Sequence, residues 1–527
     1  MTDSANQSDT GRVGLLRAGS IVSFMTLLSR ILGFVRDQVL AIMFGAGLVT
    51  DVFLVAWKIP NFLRKLFAEG AFAQAFVPVF AEYRKTRDPA ELRALAANVS
   101  GTLSLILLLI TTLGVMLAPL LILLFAPGFA DSSDQFDLAT HMLRITFPYL
   151  IFVSLLAYAG SILNTFGRFA VPSITPVLLN ICMILAALYA SPYFAEPIVA
   201  LAWGVFIAGV VQLLFQLPFL QNIGMLPRPR WGWRHPGVRK ILKLMAPVIF
   251  GSSVAQINIL LDTIIASFLA VGSLSWLYYS DRLLQFPLGV LGVTLATVIL
   301  PRLSTESATA SIDSYRATIN WALRITLLLG LPAAIGLFLL AEPLLTSLFQ
   351  YGQFSARDTR MASYSLIAYS LGLPAYLLIK VFLPAFFARQ NTRTPVRIGI
   401  IALLCNMVLN IALVVPMVYA EFIAPHMGLA IASTLTAWQQ AIMLYRKLAS
   451  EGIYQLPPAL LQFTLRLLPA LLLMIVVIVA LDSSDWSAQN GGQRALQLIV
   501  IIGASVVCYT GGLFAAGIRP ADLKSPE

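Results

Sequence analysis

The chain has little charge. Lys, Arg, Asp and Glu make up 11% of its 527 residues, hydrophobic residues make up 59%, and mean hydropathy is +0.85. Soluble domains carry about 25% charged residues, so a water-soluble globular fold is excluded. Cysteine is nearly absent. Cys182, Cys405 and Cys508 each sit in an apolar run, which leaves no disulfide framework and no CxxC metal signature. His141, His235 and His426 are the only histidines and are scattered, so structural roles are expected for them and no metal. There is no GxxxxGKS/T, so this chain hydrolyses no ATP. The first nineteen residues lack the apolar core and small-residue cleavage site of a signal peptide. The acidic stretches "DSSD" (131–134) and "DSSDW" (482–486) have no partner histidines, which gives a metal-dependent transferase little support. The period-two alternation of a membrane β-barrel is missing too.

What the chain does have is long continuous apolar runs, such as "LSLILLLITTLGVMLAPLLILLF" (103–125). Runs of this length are spanning helices. They are expected near 20–43, 50–82, 95–126, 137–165, 172–190, 196–221, 241–270, 274–301, 318–341, 360–388, 395–418, 425–446, 459–481 and 494–517, fourteen in all. The expected fold is therefore an all-α membrane protein with about 14 transmembrane helices. Basic residues collect in one set of loops: Arg84, Lys85, Arg87 and Arg93; Arg228 to Lys240; Arg302 and Arg316; Arg446 and Lys447. The alternate loops hold Asp131, Asp134, Glu196, Glu421, Asp482 and Asp485, with Arg357 and Arg360 as exceptions. The positive-inside rule then puts both termini in the cytoplasm, and it accounts for the net charge of +11 without nucleic acid.

The sequence repeats. "DQVLAIMFGAG" followed by "DVFLVAWKIPNF" resembles "DTIIASFLAVG" followed by "WLYYSDRLLQFP". Asp37 matches Asp262, Gly47 matches Gly272, Lys58 matches Arg282, Pro78 matches Pro301 and Pro172 matches Pro395, all at offsets of 223–225. The offset covers six helices, so both copies have the same orientation. The expectation is two six-helix lobes, 1–225 and 226–450, related by an axis along the membrane normal with a cavity between them, followed by an extra two-helix segment, 451–527.

Charges inside the first helices need an explanation. The stretch "SRILGFVRDQVLAIMFGAG" (29–47) carries Arg30, Arg36 and Asp37. Three charges at mid-membrane cost ~9 kcal/mol, and about a dozen apolar neighbours return only ~5. Arg30 and Asp37 lie within ~20° of one face. In the second segment Asp51, Lys58 and Lys65 are spaced by seven, Asn61 and Arg64 flank them, Glu69 can pair with Lys65, and Pro60 invites a kink. The eighth helix adds Asp281 and Arg282. Intramembrane ion pairing could absorb Lys65–Glu69 and Asp281, but cations exceed anions and most are arginine, whose fork grips phosphate oxygens. A cationic cavity expects an anionic substrate, with phosphate the best match. Arg144, Arg324 and Lys380 read as snorkelling residues. The loop "PRPRWGWRHPGVRKILK" (227–243) reads as an interfacial connector lying on anionic lipid.

Through "SRILGFVRDQVLAIMFGAG", "TDVFLVAWKIPNFLRKLFAEGAFAQAFVPVFAEY", "ILNTFGRFAVPS", "YYSDRLLQFPLGVLGV" and "LFQYGQF", the chain resembles the MurJ (MviN) lipid II flippases of the multidrug/oligosaccharidyl-lipid/polysaccharide exporter superfamily. The resemblance implies two lobes in a V shape and two extra helices forming a groove for a lipid tail. It implies translocation of undecaprenyl-diphosphate-linked disaccharide-pentapeptide across the bacterial inner membrane, with no bond made or broken and no cofactor. Its functional charges carry over to Arg30, Arg36, Asp51, Arg64, Glu69 and Arg282, with Lys58 and Asn61 in the same motif. Relatives often have glutamate where this chain has Gln285. Membrane lipids are expected partners, and other cell-wall synthesis or division proteins are candidate ones. The rival readings are a flippase for another undecaprenyl-linked glycan, a cation-coupled drug exporter, which a cationic cavity disfavours, and a membrane-embedded transferase, which would need paired acids.

Overall fold

A backbone in hydrocarbon must satisfy its own hydrogen bonds, and the described residues do so with helices. In the computed structural model 84% of the chain is helical, and the described residues contain no strand. The structure describes residues 3–65, 72–308, 311–482, 485–519 and 523, with side chains described except at 3–20, 250–256, 293–298 and 308. Glu69, and with it the expected Lys65–Glu69 pair, lies outside the described residues.

Each expected span falls on helix, and several are broken. Among the described residues, eight helical stretches are long and apolar enough to cross a membrane. A ninth counts if the pair Ala356–Ser370 and Leu373–Phe387, bent by 41°, is one span. The count of fourteen is therefore approximate. The breaks have local causes. The third expected span is interrupted at Leu117, two residues before Pro119, while Pro60 of the second lies inside a continuous helix and residues 66–71 of that span are outside the described ones. The first helix starts at Asp3 and not near residue 20, since its polar leading stretch contains no proline to stop it. Large apolar side chains are bare along many of these helices, Leu109 at 64% and Val507 at 70% exposure among them, as expected of lipid-facing surfaces.

The chain divides into two compact units, 1–271 and 272–527. Unit 1 holds α1 (Asp3–Phe44), α2 (Leu48–Leu63), α3 (Ala73–Thr86), α4 (Pro89–Met116), α5 (Ala118–Phe125), α6 (Ser133–Thr146), α7 (Tyr149–Thr165), α8 (Ala170–Leu185), α9 (Val199–Asn222) and α10 (Pro236–Ser267). Its core is an aromatic ladder. Phe72, Phe76 and Phe80 stack at successive turns around α3 at about 5 Å, and Tyr158 of α7 meets Phe76 edge-on at 5.3 Å. α1 packs on α8, and α2 packs on α6. α10 opens the second sequence repeat, yet it packs against α3, α4 and α5 of unit 1.

Unit 2 holds α11 (Ser273–Ala308), α12 (Ile312–Leu339), α13 (Ala341–Phe349), α14 (Ala356–Ser370), α15 (Leu373–Phe387), α16 (Arg393–Tyr419), α17 (Met427–Ser450), α18 (Pro458–Leu481) and α19 (Gly491–Ala515). Ile319, Leu323, Phe382, Phe386, Leu444 and Tyr454 form one core. A second core joins α18 and α19 to α12 through Leu328, Leu467, Met474 and Ile501. Arg494, only 6% exposed, donates to the carbonyls of Trp486 at 2.8 Å, Ser487 at 3.1 Å and Gln350 at 3.1 Å. Gln350 caps the carbonyl end of α13, where the helix dipole favours a cation. That arginine ties α19 to the body of the unit.

Candidate functional site

The charges of α1 do not share one environment. Arg30 is exposed, whereas Arg36 is 9% and Asp37 0% exposed. Arg36 donates through Nε (3.0 Å) and Nη2 (2.6 Å) to Oδ1 of Asp37, and through Nη1 (3.1 Å) to Oδ1 of Asn180 on α8. Asn180 in turn donates Nδ2 to the carbonyl of Ser29 at 3.0 Å. One asparagine thus links two turns of α1, and the buried guanidinium is held by directed bonds to Asp37 and Asn180. A buried ion pair needs such bonds to recover its desolvation cost. Sequence reasoning missed Asn180, whose one signal is that it is the lone amide in "VLLNICM".

α2 starts from a tight turn in which Gly45 takes φ +67° and Thr50 Oγ1 donates to its carbonyl at 3.0 Å. Asp51 is buried in the first turn, where the helix dipole favours an acid. The helix is held from outside by Thr146 of α6, whose hydroxyl donates to the carbonyl of Ala56 at 2.9 Å, and by Trp57 packing 5.6 Å from Tyr149. This fixes the direction of the polar stripe. Lys58, half-buried, reaches α10 and donates to Thr263 Oγ1 at 3.3 Å, and the Thr263 hydroxyl donates to the carbonyl of Ile259 at 2.7 Å. Arg64 donates Nε to Asn61 Oδ1 at 2.9 Å, one turn back. Lys58, Asn61 and Arg64 are thus successive polar groups along a single run of α2, and Thr263 is a neighbour that sequence reasoning missed.

In unit 2, α11 has two faces. Trp276 donates to Asp358 at 2.9 Å and Ser280 to the carbonyl of Ala362 at 2.6 Å, which fixes one face on α14. Asp281 and Arg282 are half-buried on the other, and Gln285 donates to Asp281 Oδ2 at 3.0 Å. A glutamate at 285 would be a like-charge neighbour of Asp281, so glutamine suits this pairing. Of the histidines, His426 is buried with Nε2 2.9 Å from the carbonyl of Met361, and His235 caps α10 by accepting the Gly237 N–H at Nδ1, 3.2 Å. Among the described residues no group of His, Cys, Asp and Glu is placed to hold a metal ion.

Many apolar helices, lipid-facing surfaces and cations held on α1, α2 and α11 define a multi-pass membrane transporter. Its fold is shared with a multidrug-resistance MATE transporter in an inward-facing conformation (TM-score 0.62, 14% identity, covering 80% of this chain and 95% of that one). The family model described as "Lipid II flippase MurJ" matches residues 40–491, and the chain belongs to that family. It is similar to the probable lipid II flippase MurJ of Vibrio cholerae, 49% identical over 97% of this chain and 98% of that protein. It is 39% identical to the lipid II flippase MurJ of Burkholderia cenocepacia, over 97% and 99% of the two chains. A solved structure titled "Lipid II flippase MurJ, inward closed conformation" superposes with TM-score 0.79 at 29% identity, covering 94% of this chain and 99% of that one. The chain is therefore a multi-pass inner-membrane protein and a transporter, not an enzyme.

Proposed function

We propose that this protein moves lipid II from the cytoplasmic to the periplasmic leaflet by alternating access, and that Arg30, Lys58, Asn61, Arg64 and Arg282 bind its diphosphate. The observation that carries the reading is the family match over 40–491, which includes the run from Asp51 to Arg64 and both Asp281 and Arg282. Arg30 and Arg36 precede residue 40 but fall within the near-full-length similarity to the Vibrio cholerae protein.

The chemistry supports the assignment. Arginine stays charged in the membrane and offers paired donors to phosphate oxygens. Lys58 donates to Thr263 and Arg64 to Asn61, contacts that help to orient each cation. Arg36 is engaged by Asp37 and Asn180, and its share is to position α1. Asp51, Glu69 and Asp281 balance part of the positive charge so that the site is not a permanent trap for the anion. Both termini face the cytoplasm on this reading, and the protein partners are other cell-wall synthesis or division proteins, which use the exported precursor.

Depleting the protein in a growing bacterium and treating intact cells with a membrane-impermeant amine reagent tests the proposal. Lipid II should accumulate and escape labelling, and the wild-type gene should restore labelling. Normal labelling in depleted cells, or conversion of lipid II to a new chemical species by the purified protein, would refute it.

A further inference from the structure

We propose that unit 1 carries a binding site for one anionic glycerophospholipid, separate from the cations of α1 and α2, with its headgroup on the 227–235 connector and one acyl chain between α4 and α10. The connector is built against α4. The Arg230 N–H donates to the carbonyl of Ala97 at 2.9 Å, and the Gly232 N–H donates to Thr102 Oγ1 at 3.2 Å. The two backbones touch because glycines face each other's element. A Cβ at Gly101 would lie 2.2 Å from the Arg230 carbonyl oxygen, and one at Gly232 would lie 2.3 Å from Asn98 Cβ. A segment pinned this closely presents its side chains in fixed places.

Those side chains suit an anionic lipid surface. Trp231 and Trp233 stack with centroids 6.1 Å apart and rings within 11° of parallel, and both are exposed. Paired indoles at a membrane boundary sit at headgroup level. Arg228, Arg230, Arg234 and Arg239 are exposed, and among the described residues they enter no ion pair. Beneath the connector lies an apolar crevice of about 230 Å³, with Val99, Leu103 and Ile110 of α4 on one wall and Val238, Leu242 and Ile249 of α10 on the other. Each wall runs eleven residues away from the connector, about 16 Å of helix. That is one leaflet's share of the ~30 Å hydrocarbon core. An interfacial cationic mouth above a leaflet-deep apolar crevice is the complement of a lipid with an anionic head and a single seated chain.

Unit 2 has an apolar crevice of its own, about 570 Å³, lined by Leu323 of α12, Phe382 of α15, Trp438 and Tyr445 of α17 and Leu460 of α18. By the repeat α12 matches α4, and α18 follows the sixth helix of its copy as α10 follows that of the first. Arg316 of α12 donates to the carbonyl of Gly452 at 2.7 Å, while the matching Arg93 of α4 lies against Gly224. The Trp-Arg connector occurs only in unit 1, so the charged-lipid site is assigned there.

The full-length protein tests this. Native mass spectrometry in detergent compares phosphatidylglycerol with phosphatidylcholine of identical chains. One phosphatidylglycerol should be retained at least tenfold more tightly. The triple variant R228Q/R230Q/R234Q and the crevice-filling Leu103→Trp should each lose that preference while still binding phosphatidylcholine as the wild type does. Brominated-chain phosphatidylglycerol should quench wild-type fluorescence more than W231F/W233F fluorescence, a readout that stands even if Leu103→Trp does not fold. Equal retention of the two lipids, an unaltered preference in the triple variant, or displacement of phosphatidylglycerol by undecaprenyl diphosphate at matched concentration would each overturn the assignment.

Discussion

Arg36 on α1 and Asn180 on α8 are joined at 3.1 Å, and the same asparagine holds the carbonyl of Ser29 at 3.0 Å. Asn180→Leu strips a buried guanidinium of one acceptor and frees that carbonyl. It is expected to destabilise the protein by about 1–3 kcal/mol. Asn180→Asp should retain the Arg36 bond and lose less. Thermal unfolding in detergent checks the stability, and lipid II binding measured alongside checks whether α1 has shifted. Equal melting of Asn180→Leu and wild type would remove Asn180 from the role assigned to it.

Charge-conserving changes separate a phosphate fork from a point charge. Arg30→Lys and Arg282→Lys keep the charge but lose the paired donors. Each should reduce lipid II export at least tenfold with normal membrane levels. Full growth of both variants in a depletion strain would refute the diphosphate assignment.

Loop accessibility reports orientation. Cysteines at the exposed positions Thr86 and Ser304 should react with an impermeant maleimide only after the membrane is opened. Cysteines at Ser132 and Ser487 should react in intact cells. The distribution of arginine and lysine between the two sets of loops motivates this, and labelling of Thr86 from outside would overturn the orientation.

His235 makes one helix start sensitive to pH. Its Nδ1 accepts the Gly237 N–H, which requires the neutral ring, and burial pushes its pKa below the ordinary imidazole value while the charge of Glu91 pulls it back. A lowered folded pKa means the cap contributes fully above the unfolded value of ~6.5 and is lost as pH falls through the folded one. Hydrogen exchange at the first turn of α10 should therefore speed up on acidification, beyond its intrinsic pH dependence. His235→Asn supplies a cap that does not titrate and should abolish the effect, at a change of about 1 kcal/mol or less at neutral pH.

Arg494 is the strut most exposed to test. Arg494→Met leaves three or more carbonyls without their cation and should lower stability by on the order of 3 kcal/mol. Limited proteolysis should then cut near Trp486 before the rest of unit 2. An unchanged digestion pattern would show that α19 is held by its apolar face alone.

Much of the molecule is legible along the chain itself. Continuous apolar runs have one outcome in hydrocarbon, because water is absent and the helix alone closes its own bonds. The repeat can be read because its marker residues keep a constant offset. The cations of α1, α2 and α11 stand out because a charge among twenty apolar residues is too costly to be accidental. Partners are another matter. Arg30 and Asp37 share a face by spacing, yet one is exposed and the other fully buried. Helical spacing fixes direction about an axis, and only the position of α8 decides which part of that face is covered. For the same reason Lys58 can be singled out by its place in the chain while Thr263, some 200 residues away, cannot. The sequence alone determined that this chain spans the membrane many times, repeats itself and carries cations within its apolar helices, since each follows from transfer free energy and periodicity along one dimension. Only the tertiary structure decided that α10 packs with unit 1, that Asn180 holds Arg36 and that carbonyls hold Arg494. Those are contacts between helices, and helix-to-helix packing depends on side-chain shapes meeting in three dimensions, which no spacing along the chain encodes.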